Sequence, residues 1–182
     1  MLLSIMGPAG SGKSTLAKHL QERRPDLVAR VPVDFFFVPR REDETVSDYL
    51  ARPFGYDWAA LDAALDTHRS SPDCDFVAFR WISPTGGLPI AEAPVYVLDG
   101  MRPHPRSDLL VQLRLDAVTQ RDRLRERDVR WGTAVAGRTE HLHATYQAGV
   151  GELPRTPDLT LDATAPLEQN GEHILRLLAS CR

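Results

Sequence analysis

Along this chain, short apolar runs alternate with longer stretches in which apolar residues recur every three or four positions. Leu2, Leu3, Ser4, Ile5 and Met6 form the first run. A helical pattern from Thr15 to Arg23 follows, stopped near Pro25, and then a second apolar run from Leu27 to Val33. Tyr56 to His68 places Trp58, Leu61 and Leu65 at helical spacing. Phe76 to Ile82 reads as a candidate strand, Pro84 to Pro89 as a turn-rich tip, and Pro94 to Leu98 as the clearest buried strand. Leu109 to Leu115 predicts another strand, Ala117 to Arg130 and Thr139 to Val150 predict helices, and Asp158 to Leu161 predicts a short strand. Pro166 to Ala179 predicts a closing helix with Ile174, Leu175 and Leu178 inward. Apolar strands alternating with amphipathic helices imply an α/β fold: a doubly wound, parallel, five-stranded sheet with helices on both faces. Ligands of such a sheet sit beyond the carboxyl ends of its strands.

With 182 residues and no linker-like break in composition, residues 1–182 read as a single domain. A formal net charge of -3 argues against a nucleic-acid partner, which usually meets a basic face. The N-terminal apolar run is broken at Gly7 and Pro8 and has no basic stretch before it, so it reads as a strand and not as a leader or membrane segment. Two cysteines, Cys74 and Cys181, make neither a disulfide framework nor a metal cluster, which suits a cytoplasmic location.

The densest chemical signal is Gly7-Pro8-Ala9-Gly10-Ser11-Gly12-Lys13-Ser14-Thr15, directly after the first strand. It fits G-x-x-x-x-G-K-[ST], the phosphate-binding P-loop, in the strand-then-helix setting the motif requires. Glycines at 7, 10 and 12 let successive N–H groups turn inward as an anion nest, and the following helix points its positive end at the same place. Lys13 then reaches the β and γ phosphates of a nucleotide, and Ser14 offers a hydroxyl to Mg²⁺. The cofactor-binding set is Gly7, Ala9, Gly10, Ser11, Gly12, Lys13, Ser14 and Thr15.

Asp99 ends the run Val95, Tyr96, Val97, Leu98. A carboxylate on a rigid strand beside the P-loop can orient Mg²⁺ or one of its waters, which makes Ser14 and Asp99 the candidate metal residues. Asp34 stands after the second strand. Two roles are open to it, acceptance of a proton from an attacking hydroxyl or organisation of a Mg²⁺-bound water. The helix carrying Arg121, Arg123, Arg125, Arg127 and Arg130 pairs Glu126 with Arg130 four residues on, as a solvated surface does. Arg123 and Arg127 share a face at the same spacing, where like charges repel unless an anion lies between them. A nucleotide's phosphates supply that anion, which predicts a lid around residues 121–138 with Arg123 and Arg127 over the donor.

These residues resemble one family in order and spacing. The P-loop, Asp34, then Arg52-Pro53-Phe54-Gly55-Tyr56-Asp57-Trp58 with Leu61 and Leu65, Asp99-Gly100, and Arg123 to Asp128 look like the uridine kinase and phosphoribulokinase-like branch of the P-loop small-molecule kinases. The resemblance implies an ATP- or GTP-dependent kinase acting with Mg²⁺ on the hydroxyl of a small molecule, a nucleoside first among them. In that family the aspartate matching Asp34 is the base, and Lys13, Asp34 and Arg127 become the catalytic set. The stretch from Asp158 to Pro166 resembles the family's adenine-side loop. Uridine kinases carry Glu-Gly where this chain has Asp99-Gly100, and they grip the pyrimidine with Tyr-Asp-Phe and a later histidine. Here the sequence is Cys74-Asp75-Phe76, then Phe79, Arg80 and Trp81, with either Phe79 or Trp81 at the histidine place. A sugar, vitamin precursor or antibiotic therefore stays open as acceptor. A P-loop nucleotide switch is the rival from another class. Arg80 and Arg102 are candidates for a charged or polyhydroxyl substrate, and Phe35, Tyr56 and Trp81 for covering a ring. His104, His141 and His143 read as loop and helix-surface residues.

Overall fold

The computed structural model describes residues 1–38, 41–45, 55–70, 76–77, 87–88, 90–130, 140, 144 and 155–181. The 84–89 tip and the 139–150 helix lie mostly outside them, and Cys74, Phe79, Arg80, Trp81, His141 and His143 lie outside them altogether. In chain order the elements are β1 (Leu2–Met6), α1 (Lys13–Arg23), β2 (Val28–Pro32), a 3₁₀ turn (Val33–Phe36) and α2 (Trp58–Ser70). After them come β3 (Phe76–Val77), β4 (Gly87–Leu88), β5 (Val95–Gly100), β6 (Leu109–Arg114), α3 (Ala117–Arg130), β7 (Leu159–Asp162) and α4 (Leu167–Ser180).

Five strands form the expected sheet, in the order β2-β5-β1-β6-β7, and every neighbouring pair is parallel. The predicted strand at Phe76 is not part of it. Phe76–Val77 pairs antiparallel with Gly87–Leu88 as a separate two-stranded hairpin.

Because side chains alternate across a strand, each apolar run feeds two cores. Leu3 and Ile5 of β1, Val95 and Val97 of β5 and Val111 of β6 pack beneath Leu16 and Leu20 of α1 and Ile174 and Leu178 of α4. Leu2, Val31, Tyr96 and Leu98 face the other way, against Leu61 and Leu65 of α2 and Phe36 of the 3₁₀ turn. Helices thus cover both faces. α4 approaches α1 at Gly171, where a Cβ would stand 2.9 Å from the His19 ring. No helix among the described residues is long and apolar enough to cross a membrane.

Central strands β1 and β5 end together, with Met6 opposite Gly100 and Ile5 opposite Asp99. Asp99 is accordingly inside β5, held in register beside the start of the P-loop. β2 is an edge strand, and the free-edge N–H of Arg30 is taken by the Gln21 side chain of α1 at 2.7 Å. The chain then turns at Pro32 into the 3₁₀ turn, which brings Asp34 to the same end of the sheet.

Candidate active site

The loop from Gly7 to Gly12 has the backbone that its glycines predict. Gly12 caps α1 in the left-handed region at φ 88°, which a side chain there adopts only with strain. Gly7 lies so close to β6 that a Cβ would meet the Leu113 carbonyl oxygen at 2.7 Å. Within this cradle the Ser11 hydroxyl is buried and has no hydrogen-bond partner among the described residues. Buried polar groups are normally satisfied, so the orphan marks a place for a ligand acceptor. Lys13 is also buried, and its Nζ donates to the Pro8 carbonyl at 2.9 Å, folding back over the loop.

Burial pushes the Lys13 ammonium down to about 8, against the pull of the nearby carboxylates Asp34 and Asp99 and with a push from Arg127. Those influences bring the sequence-predicted catalytic set into one electrostatic neighbourhood. Asp34 keeps an exposed edge, yet the protein packed about its carboxyl removes enough water to raise its pKa, with Lys13 pulling the other way.

Tyr56 was read as a ring-covering residue; the structure makes it a clamp. It is buried, stacked on Phe37 at 4.8 Å, and donates its hydroxyl to Asp34 Oδ1 at 3.0 Å while accepting the Met101 N–H at 2.9 Å. Burial and the Asp34 charge push its own phenol well above the usual range, so it stays a donor. Replacing it, Tyr56→Phe, leaves the Met101 N–H without its acceptor and is expected to cost about 1–3 kcal/mol in urea unfolding. The same change removes a hydrogen bond that lowers the Asp34 pKa, so the acidic limb of the activity profile should move to higher pH.

Asp99 is buried and its carboxylate receives a fork from Arg30, Nε to Oδ1 and Nη2 to Oδ2, both at 3.0 Å. Arg30 was not among the residues picked from sequence, although a lone arginine inside an apolar strand was the available sign. The fork leaves each Asp99 oxygen with one acceptor direction free, enough to accept a hydrogen bond from a water of a hydrated ion. Ser14 leaves its position exposed at the N-terminus of α1. This donor set fits Mg²⁺, which keeps waters and takes most other ligands from phosphates.

The described part of the predicted lid is the helix α3, docked on the loop. Gln120 Nε2 reaches the Ala9 carbonyl at 3.2 Å. Arg123 donates to the Gly10 carbonyl at 3.4 Å and the Ala163 carbonyl at 3.2 Å, while Arg127 pairs with Asp128 at 3.3 Å. Residues 131–138 lie outside the described part. Ser11, Gly12, Thr15, Arg123, Ala163 and Asn170 line a recess of about 270 Å³ between the loop, α3 and the segment after β7. His104 lies in the loop after β5, as read, but is buried there: it is edge-on to Trp58 at 5.1 Å, with Nε2 3.2 Å from Asp62, and so packs that loop against α2.

No family model matches the chain, and no curated protein does. Among solved structures it is similar to a protein described as a fructose transport system kinase from Silicibacter sp. TM1040, at 20% identity and TM-score 0.58, over 88% of this chain and 89% of that one. It is likewise similar to a sugar kinase from Janibacter sp. HTCC2649, at 18% identity and TM-score 0.50, over 98% and 94% of the two chains. The likeness is one of fold: five parallel strands with helices on both faces. The loop, Asp34 and Asp99 lie together at the carboxyl end of this sheet, where ligands of a doubly wound sheet bind.

Proposed function

We propose that the chain is a single-domain ATP- or GTP-dependent kinase that transfers the γ-phosphoryl group to a hydroxyl of a small molecule. The observation that carries this reading is the Asp34 carboxyl, fixed by Tyr56 and lying in the field of the phosphate lysine Lys13. A water-activating switch needs no such clamped, partly desolvated carboxylate facing an open site. The loop amides and Ser11 hold the donor phosphates, and Lys13 exchanges the Pro8 carbonyl for their oxygens. Ser14, and Asp99 through a water, would hold Mg²⁺, which would supply charge neutralisation to the donor phosphates. Asp34 orients the acceptor hydroxyl and takes its proton. Arg123 and the segment after β7 flank the recess for the base, and the lid around 121–138 carries Arg127 towards the phosphates. The nucleoside acceptor implied by the uridine kinase resemblance is one member of the class to be tested, alongside sugars, vitamin precursors and antibiotics. A cytoplasmic setting fits the nucleotide donor.

The test is ADP release from Mg·ATP and Mg·GTP across nucleosides, polyols and hydroxy acids, with an acceptor-free blank and Lys13→Ala beside it. Stimulation by an acceptor, lost in the variant, is the expected result. Hydrolysis at one rate with and without every acceptor would instead support a nucleotide switch.

The two charged groups also set a pH profile. Asp34 must be ionised to accept a proton, so kcat/KM should fall as pH drops through its raised pKa, above the ordinary carboxylate range. Lys13 must be charged to hold phosphate, so kcat/KM should fall as pH rises through about 8. Bound phosphates favour the ammonium, which places the alkaline limb of kcat at higher pH than that of kcat/KM. In the ligand-free protein the folded state binds fewer protons than the unfolded one above about 8, so the Lys13 contribution to stability rises with pH there.

A further inference from the structure

The arginines around the site are, with one exception, committed. Arg30 holds Asp99, Arg123 holds two backbone carbonyls, Arg127 meets Asp128 and Arg106 meets Asp62 at 2.6 Å. Arg102 differs. Its Nε is buried without a hydrogen-bond partner, and no carboxylate pairs with its guanidinium among the described residues. It stands three residues beyond Asp99, on the segment that emerges from the carboxyl end of β5. That segment is pinned to the catalytic carboxylate: the Met101 N–H binds the Tyr56 hydroxyl, which binds Asp34. At Gly100 the spacing is tight, since a Cβ there would lie 3.1 Å from that hydroxyl and 3.3 Å from the Arg102 carbonyl oxygen.

The buried Nε is a donor without an acceptor unless a ligand supplies one, and the planar guanidinium fork of this half-buried side chain suits carboxylate or phosphate oxygens. The cations that press on Asp34 are Lys13 and Arg30; Arg102 is not among those that do. Base and free cation are therefore neighbours along the chain without being an ion pair. An acceptor with its reacting hydroxyl at one end and an anionic group at the other would bridge them.

We infer that Arg102 is the anion anchor of the acceptor site, so that the acceptor is a small hydroxyl compound bearing a carboxylate or a phosphate ester. This rests on the kinase reading above. It narrows the acceptor away from neutral nucleosides and sugars, because a neutral group would leave the guanidinium unpaired while a carboxylate or phosphate completes two of its donors at once.

The test uses matched pairs on the full chain with the donor site filled by Mg·ADP. Binding of gluconate, glycerate and glycerol 3-phosphate is measured by calorimetry against glucitol and glycerol, in the parent chain, Arg102→Gln and Arg102→Lys. At least one anion should bind tenfold or more tightly than its neutral counterpart. That advantage should vanish in Arg102→Gln and survive in part in Arg102→Lys, with Mg·ADP affinity unchanged as the check on folding. The carboxylate and phosphate arms show which anion is taken. Equal binding of acids and neutral polyols, or an advantage that persists in Arg102→Gln, overturns the anchor. Turnover of a neutral acceptor alone overturns the anchor and leaves the kinase reading standing. Acids that bind through Arg102 but are never phosphorylated uphold the anion site and count against the kinase.

Discussion

Asp34→Asn is expected to lower acceptor-dependent ADP release by roughly 10²- to 10⁴-fold, the range a positioned general base contributes. The amide is nearly isosteric and still accepts the Tyr56 hydroxyl, so the 3.0 Å contact and the fold around it survive. What disappears is the capacity to take a proton. Mg·ADP affinity, read by calorimetry, should change little, because the phosphate contacts come from the loop and Lys13. A collapse of nucleotide binding in this variant would move Asp34 to the metal site and leave the acceptor proton to another group. The loss should also be confined to transfer, with slow acceptor-free hydrolysis near its parent rate.

Arg30→Met should act on stability first. It strips the partner from a carboxylate whose side chain is 2% exposed, and breaking a buried pair from one side typically costs about 3–5 kcal/mol. Two effects pull towards the lower end. Arg30 is itself 27% exposed, and Lys13 remains as a second cationic neighbour of Asp99. The measurement is urea unfolding of Arg30→Met, Asp99→Asn and the double variant. The double should be more stable than the sum of the singles predicts, because its uncharged amide no longer needs a guanidinium. A cost below about 1 kcal/mol for Arg30→Met would mean that the fork contributes as little as an exposed surface pair.

The strand, loop and helix from Leu2 to Arg23 were legible because the signal is local: an apolar run, three glycines and a helical pattern within two dozen residues. α3 was legible for the same reason, with its predicted limits matching Ala117–Arg130. The main sheet followed from the alternation of runs. What sequence could not give was pairing at a distance. Arg30 and Asp99 are 69 residues apart, and Tyr56 meets Asp34 across 22 residues and Met101 across 45. Periodicity marks Tyr56 only as an apolar ring at the start of a helix, and nothing in it says that the hydroxyl lands on a carboxylate. Of the β3–β4 hairpin, Phe76 was legible as a strand, while Gly87–Leu88 was read as part of a turn-rich tip because its glycines and flanking prolines outweigh two residues of pairing. His104 was legible as a loop residue, but its burial was not, because Trp58 and Asp62, which pack on it, come from another element.

The contact between Gly171 and His19 bears on the phosphate loop from the far side of the molecule. α1 begins at Lys13, so the direction in which the loop amides point is set by how α1 lies on the sheet, and α1 is wedged there by α4. A chain that had made only β1, the loop and α1 would own the right residues without the right aim. The aim arrives with α4, so a motif written in β1 and α1 takes its final orientation only when a helix distant in sequence has packed.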